Sequence, residues 1–201
     1  MITALLVPLL FAAAPFDELK LEEKELARLQ KGEVVVRGEV YKTAEGKNAG
    51  RGKAWVIIKK PREAVYEQLT KGYDQFPEFM PRLKKVNVIS RSEDAMLVRS
   101  YVGVAFSTYE YTLKFKLDPA AFQTNWVLDK SAKNDIKDTA GEWKLLELEP
   151  GVSTLAQYSI SVDSGMFVPQ FLEDYMTRKD LPEILNALRK RVESDGKWKK
   201  E

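Results

Sequence analysis

Residues 72–81, Gly72-Tyr73-Asp74-Gln75-Phe76-Pro77-Glu78-Phe79-Met80-Pro81, put three aromatic rings and two prolines into one short segment, and the hydrophobic period of the chain changes across it. Gly72 and the prolines oppose a long helix here, so the segment reads as a short helix or turn whose rings need a surface to lie on. On its N-terminal side Pro61 takes the first position of a helix, with Glu63 in the first turn and Val65, Tyr66 and Leu69 along one face. That helix follows a strand, Ala54-Trp55-Val56-Ile57-Ile58. Farther back, residues 43–52 are rich in Gly and Lys and read as a loop, and Glu33–Tyr41 reads as a strand. Phe16–Gln30 reads as an amphipathic helix whose Phe16, Leu19, Leu26 and Leu29 lay one stripe on the body.

On the C-terminal side the period becomes two. Val86–Ser90, Met96–Val102, Phe106–Leu117, Phe122–Leu128, Trp143–Leu148 and Val152–Val162 are β-type segments separated by turn residues, the pattern of a curved antiparallel meander. Tyr109, Tyr111, Leu113, Phe115 and Leu117 alternate with Glu110, Thr112, Lys114 and Lys116, and Ala156, Tyr158, Ile160 and Val162 alternate with Gln157, Ser159 and Ser161. One face of the sheet is therefore expected to be covered and the other wet. The cover is a last helical element from about Val168 to Val192. There Phe167, Phe171 and Tyr175 recur every four residues, and Leu181, Ile184, Leu185, Leu188 and Val192 continue the stripe. Pro182 predicts a kink or split near Lys179-Asp180, and the polar residues after Ser194 are expected to fray.

A chain of 201 residues, 44% hydrophobic, suits one domain large enough to bury a core or enclose a cavity. Its net charge of +2, from 32 basic and 30 acidic residues, does not argue for nucleic acid as a partner. The clusters Lys59-Lys60, Arg82-Leu83-Lys84-Lys85 and Lys197-Trp198-Lys199-Lys200 read as solvated faces, with weak attraction to a membrane surface of anionic lipid as the functional alternative. With no Cys and no His, the chain lacks thiol nucleophiles, disulfides and the usual ligands of zinc, copper and haem, so neither a metal nor a cofactor is expected.

Ile2–Phe11, followed by Ala12-Ala13-Ala14, has the apolar run and small-residue end of a secretory signal peptide, cut after Ala14, which predicts a periplasmic or secreted protein. The expected organisation is a signal peptide at 1–14, a helix-and-strand extension at 15–51, the main domain at 52–193 and a polar tail at 194–201, in a monomer.

The order of strand, two short helices, long antiparallel meander and long C-terminal helix, with the 72–81 segment, Gly141-Glu142-Trp143, Thr154, Tyr158 and Pro169, resembles the START-like helix-grip superfamily. That superfamily includes polyketide cyclase/dehydrase, coenzyme Q-binding and lipid-transport domains. The resemblance runs from about Gly52 to Val192. Gly72 departs from it, because many relatives carry an acidic residue before the tyrosine, and no role of that acid transfers here. The resemblance implies an α+β fold in which a curved antiparallel sheet wraps a long C-terminal helix, with a cavity between them that holds a lipid, isoprenoid, sterol or polyketide.

Tyr73, Phe76, Phe79, Met80, Met96, Val98, Tyr109, Tyr111, Phe115, Trp126, Trp143, Tyr158, Phe167, Phe171 and Tyr175 are expected on the covered side, either as packed core or as a pocket wall whose phenols orient a ligand's polar end. Arg99 lies mid-strand. It is either a polar anchor for an anionic head group on the covered face or the partner of Glu110 on the wet one. No convergent acid–base pair stands out, so no catalytic residue is named. The leading reading is an exported carrier for a hydrophobic small molecule, with Tyr73–Pro81, tipped by Phe79 and Met80, as a gate beside Met166–Pro169. The alternatives are a cyclase/aromatase-like enzyme and a protein-interaction module with a collapsed cavity.

Overall fold

Eight strands form one antiparallel sheet in the computed structural model, which describes residues 16, 19–42, 46, 48–104, 106–163 and 180–201. Helix α1 (Glu23–Gln30) precedes strands β1 (Val35–Lys42) and β2 (Asn48–Ile58). Helix α2 (Arg62–Leu69), a 3₁₀ turn (Lys71–Gln75) and helix α3 (Phe76–Phe79) come next. The meander is β3 (Leu83–Arg91), β4 (Ala95–Val104), β5 (Ser107–Asp118), β6 (Gln123–Leu128), β7 (Asp138–Glu149) and β8 (Ser153–Asp163), and helix α4 (Asp180–Glu193) ends the set. Across the sheet the order is β1-β2-β8-β7-β6-β5-β4-β3, so the meander curls round until β8 pairs with β2. This is the α+β helix-grip architecture that the order of elements implies.

The inner face of the curved sheet meets α2, α3 and α4. Ala54, Val56 and Ile58 of β2, Met96 and Val98 of β4, Leu113, Phe115 and Leu117 of β5 and Leu145 of β7 share one core with Leu181, Leu185, Leu188 and Val192 of α4. Those α4 positions fall four, three and four residues apart, which keeps them on one helical stripe. Tyr111 borders this core, but Tyr109, at the far end of β5, is only half-buried and stands outside it. The stretch before Asp180, with Phe167, Phe171, Tyr175, the expected break near Lys179 and Met166–Pro169, lies outside the described residues, as does the expected signal peptide.

The outer face is not uniformly wet. A second core of Phe16, Leu19, Leu29, Val35, Trp55, Leu148 and Leu155 lies there beneath α1. Glu25 of α1, paired through Glu22 in a capping box, accepts a bond from Arg37 Nε of β1 (2.9 Å) and so fixes the helix to the sheet. Two strands begin earlier than their apolar runs indicate. β2 starts at Asn48, which places the expected loop residues 48–52 in the ladder with β1 and puts the 51/52 boundary inside a strand. β7 starts at Asp138 and pairs with Asp163. Backbone pairing supplies both extensions without apolar side chains, and a hydrophobic pattern cannot register that.

The tail also differs from expectation. Instead of fraying, it folds back: the Trp198 carbonyl accepts from Arg191 Nη1 at 2.9 Å, and Lys200 Nζ donates to the carbonyls of Met80 (2.7 Å) and Leu83 (2.9 Å). A buried guanidinium on α4 needs acceptors, and the returning chain provides one.

Replacing Leu155, 0% exposed at the centre of the outer core, with Ala is expected to cost about 2–5 kcal/mol. Val127→Ala, at a site 52% exposed, is expected to cost less than about 0.5 kcal/mol. Urea unfolding of the two variants at equal m-value checks the contrast.

Candidate functional site

Seven aromatic rings form an unbroken row over the inner face. Phe79 meets Phe76 edge-on at 5.1 Å, Phe76 stacks on Tyr73 at 4.1 Å, and Tyr73 meets Phe115 at 5.2 Å. Phe115 continues to Trp126 (5.9 Å), Trp126 to Tyr158 (5.5 Å) and Tyr158 to Trp143 (4.4 Å). Strand register explains two of these contacts, because Phe115 faces Trp126 and Trp143 faces Tyr158 as cross-strand pairs.

The Trp126–Tyr158 contact has a different cause. Trp126 is on β6 and Tyr158 on β8, with β7 between them, and the β7 residue opposite Trp126 is Gly141. A Cβ at position 141 would lie 2.2 Å from Trp126 Cζ2 and 2.4 Å from the Ser159 carbonyl oxygen. The missing side chain lets the indole lie across the middle strand and reach the phenol beyond it. Met80, Met96 and Val98, all buried, flank the row with deformable or branched apolar side chains.

Two phenols lie in this layer, Tyr73 buried and Tyr111 partly buried. Burial pushes the Tyr111 hydroxyl up to about 12, and burial together with the nearby Tyr111 raises Tyr73 still further. Both therefore remain neutral hydrogen-bonding groups at physiological pH.

A groove of about 600 Å³ lies on the outer face and is lined in part by Arg37, Glu39, Arg51, Lys53, Glu142 and Ser159. Its charges are largely satisfied: Arg37 bonds Glu25, Arg51 bonds Glu39, and Glu142 accepts from Gln123 at 3.1 Å. Such a surface suits water better than an apolar guest. The inner face is the candidate site.

Residues 58–189 match the family model for polyketide cyclase / dehydrase and lipid transport. The chain belongs to that family. A search of curated proteins found no match. Among solved structures, this member of the cyclase and lipid-transport family is similar to the Zhui aromatase/cyclase from Streptomyces sp. R1128, with 17% identity, a TM-score of 0.60, and 79% of this chain and 94% of that one covered. It is also similar to a STAR-related lipid transfer protein from Xanthomonas axonopodis (17% identity, TM-score 0.59, 78% and 93% covered). A START superfamily protein from Mycobacterium smegmatis gives 18% identity and a TM-score of 0.58, with 81% and 99% covered.

Within this family fold, the structure chooses between the two readings of Arg99, in favour of the pairing with Glu110. Arg99 points to the outer face, between the inward Val98 and Ser100, so it is no anchor for a ligand on the inner side. Its Nη2 bonds Glu110 at 2.6 Å, and its Nη1 bonds Thr112 Oγ1 and the Lys133 carbonyl, each at 3.1 Å. Strand alternation settles the matter, since Val98 faces the core and its neighbour must face away. Phe79 and Met80, the expected tips of a gate, are 1% and 4% exposed and belong to the inner core.

Sequence reasoning also missed an ionic pair. Asp180, 1% exposed, accepts from Arg82 Nε at 2.8 Å through Oδ1, while its Oδ2 has no hydrogen-bond partner among the described residues. Arg82 holds a left-handed φ of 57°, and its carbonyl accepts the Gly103 N–H at 2.8 Å. The one sequence signal was a basic residue just after Pro81, and its partner lies 98 positions away.

Gly141→Ala is expected to destabilise the protein by about 1–3 kcal/mol and to alter near-ultraviolet circular dichroism, with part of the loss recovered in a Gly141→Ala/Trp126→Phe double variant. Because their folded pKa values are raised, Tyr73 and Tyr111 contribute stability that is complete below the unfolded value of about 10 and is lost as pH climbs through about 12. Phenolate absorbance at 295 nm is expected to show two tyrosines that titrate only as the protein unfolds in that window.

Proposed function

We propose that this chain binds a hydrophobic small molecule, of lipid, isoprenoid, sterol or polyketide-like form, against the inner face of the sheet, and that it shields or carries the molecule rather than transforming it. The row of seven rings from Phe79 to Trp143 carries this reading. It offers a long apolar wall that matches flat or chain-like ligands, and each Å² removed from water is worth about 25 cal/mol without any charged contact. The neutral phenols of Tyr73 and Tyr111 are suited to orient a hydroxyl or carbonyl at the ligand's polar end.

The fold supports this reading, being similar to that of a STAR-related lipid transfer protein. The similarity to an aromatase/cyclase keeps an enzymatic reading as the second one. Acid–base work at neutral pH is best done by groups titrating near 7, and phenols pushed above their ordinary range are poorly placed for it. That contrast favours binding.

We further propose, from the signal-like first 14 residues, that the protein acts outside the cytoplasm as a monomer. Lys84 and Lys85, both exposed, are proposed to make weak, transient contact with anionic lipid.

Protein purified from its native host is expected to yield a co-purifying apolar compound on extraction and mass spectrometry, and Trp126→Ala protein to yield at least about ten-fold less. Absence of any such compound, together with failure to bind N-phenyl-1-naphthylamine, would refute the binding reading. Conversion of a bound poly-ketone would favour the enzymatic one.

A further inference from the structure

The C-terminal tail is tied to the helix that begins the ring row. Arg191 of α4, 3% exposed, donates from Nη1 to the Trp198 carbonyl (2.9 Å) and from Nη2 to Gln75 Oε1 (2.8 Å) and Glu78 Oε2 (3.0 Å). Its guanidinium carbon also lies 5.3 Å from the centre of the Phe79 ring. Asp195 and Gly196 take left-handed φ values of 54° and 75°, which reverse the chain after α4 and send it back toward α3. Trp198 then packs on the inner core with Lys190 5.0 Å above its ring. The Lys200 N–H donates to the Glu78 carbonyl at 3.0 Å, and Lys199 Nζ is 3.3 Å from Glu78 Oε2. The Lys200 ammonium bonds the Met80 and Leu83 carbonyls at 2.7 and 2.9 Å.

Helix α3 needs this help. It spans only four residues, Phe76–Phe79, too few to be stable alone, and the last carbonyls of a helix lack internal donors. The tail supplies donors to the carbonyls of Glu78, Met80 and Leu83, at the end of α3 and just beyond it. The same helix carries Phe76 and Phe79, the first two rings of the row. Whatever holds α3 therefore holds that end of the apolar wall.

We propose that residues 197–200 are a latch. Docked, they press Phe76 and Phe79 against Tyr73 and close one end of the ring row; released, they let α3 move away and admit or discharge a ligand. This rests on the reading that the row borders the ligand site. Exchange of ligand is then limited by release of the tail.

The test is stopped-flow uptake and release of N-phenyl-1-naphthylamine, followed by energy transfer from tryptophan, in three proteins: wild type, a chain ending at Gly196, and a Glu78→Cys/Lys199→Cys variant. The chain has no other cysteine, and the Lys200 N–H to Glu78 carbonyl bond brings the two backbones close enough for a disulfide. The shortened chain is expected to exchange the probe at least about ten-fold faster in both directions, with affinity changed less than about three-fold. The oxidised double variant is expected to exchange it at least about ten-fold more slowly, and dithiothreitol to restore the rate. If the shortened chain fails to fold, the oxidised and reduced forms of the double variant decide the question alone. Equal rates in those two forms, with the probe bound, overturn the latch and leave the binding reading intact. A wild-type protein that takes up no probe and carries no co-purifying apolar compound overturns both.

Discussion

Leu181, Leu185, Leu188 and Val192 of α4 take the inner face of the sheet out of water, and the other features of the molecule are arranged around that contact. A curved antiparallel sheet presents more apolar surface on its inner face than one narrow helical stripe can cover. Part of the remainder falls to α2, the Lys71–Gln75 turn and α3, which enter between β2 and β3 and bring Tyr73, Phe76 and Phe79 onto strands that come much later in the chain. The candidate site therefore forms where elements far apart in the chain meet on the inner face, and each of its seven rings is buried there.

Polar groups near that surface follow the same constraint. Arg191 and Asp180 sit on α4 close to its apolar stripe and are almost wholly buried, so each must find a partner or carry a desolvation penalty. Arg191 recruits the C-terminal tail together with Gln75 and Glu78, and Asp180 recruits Arg82 just after α3. Both sets of bonds converge on the short segment around α3. A region with little helical stability of its own thus becomes well fixed by charge-assisted bonds. On the outer face Arg99, Glu110 and Thr112 form an ordinary cross-strand network, which supports the sheet and takes no part in the site.

Much of the fold was legible in the residues themselves. Period-two alternation from Tyr109 to Leu117 and from Ala156 to Val162 identified strands and their buried faces, because a strand's side chains can only alternate. Pro61, Gly72 and Pro77 marked the short helices, and the spacing of Leu181, Leu185, Leu188 and Val192 marked the last one. All seven rings now seen in the row were expected on the covered side, Phe115 and Tyr158 through that alternation. The early starts of β2 and β7 were not legible, since those residues are held by main-chain bonds that leave no mark on side-chain pattern.

What the sequence determined by itself was local: which residues alternate, which helices are amphipathic, and which chemistries are missing from a chain without Cys or His. Tertiary structure alone decided the relations between distant residues. Gly141 has no side chain to announce that an indole from β6 will cross it to reach Tyr158, and a polar tail carries no sign that Lys200 will serve carbonyls 117 and 120 positions earlier. The physical reason is the same in both cases. Close approach and charge pairing depend on the distance between atoms in the folded chain, and periodicity records only the direction in which each residue faces.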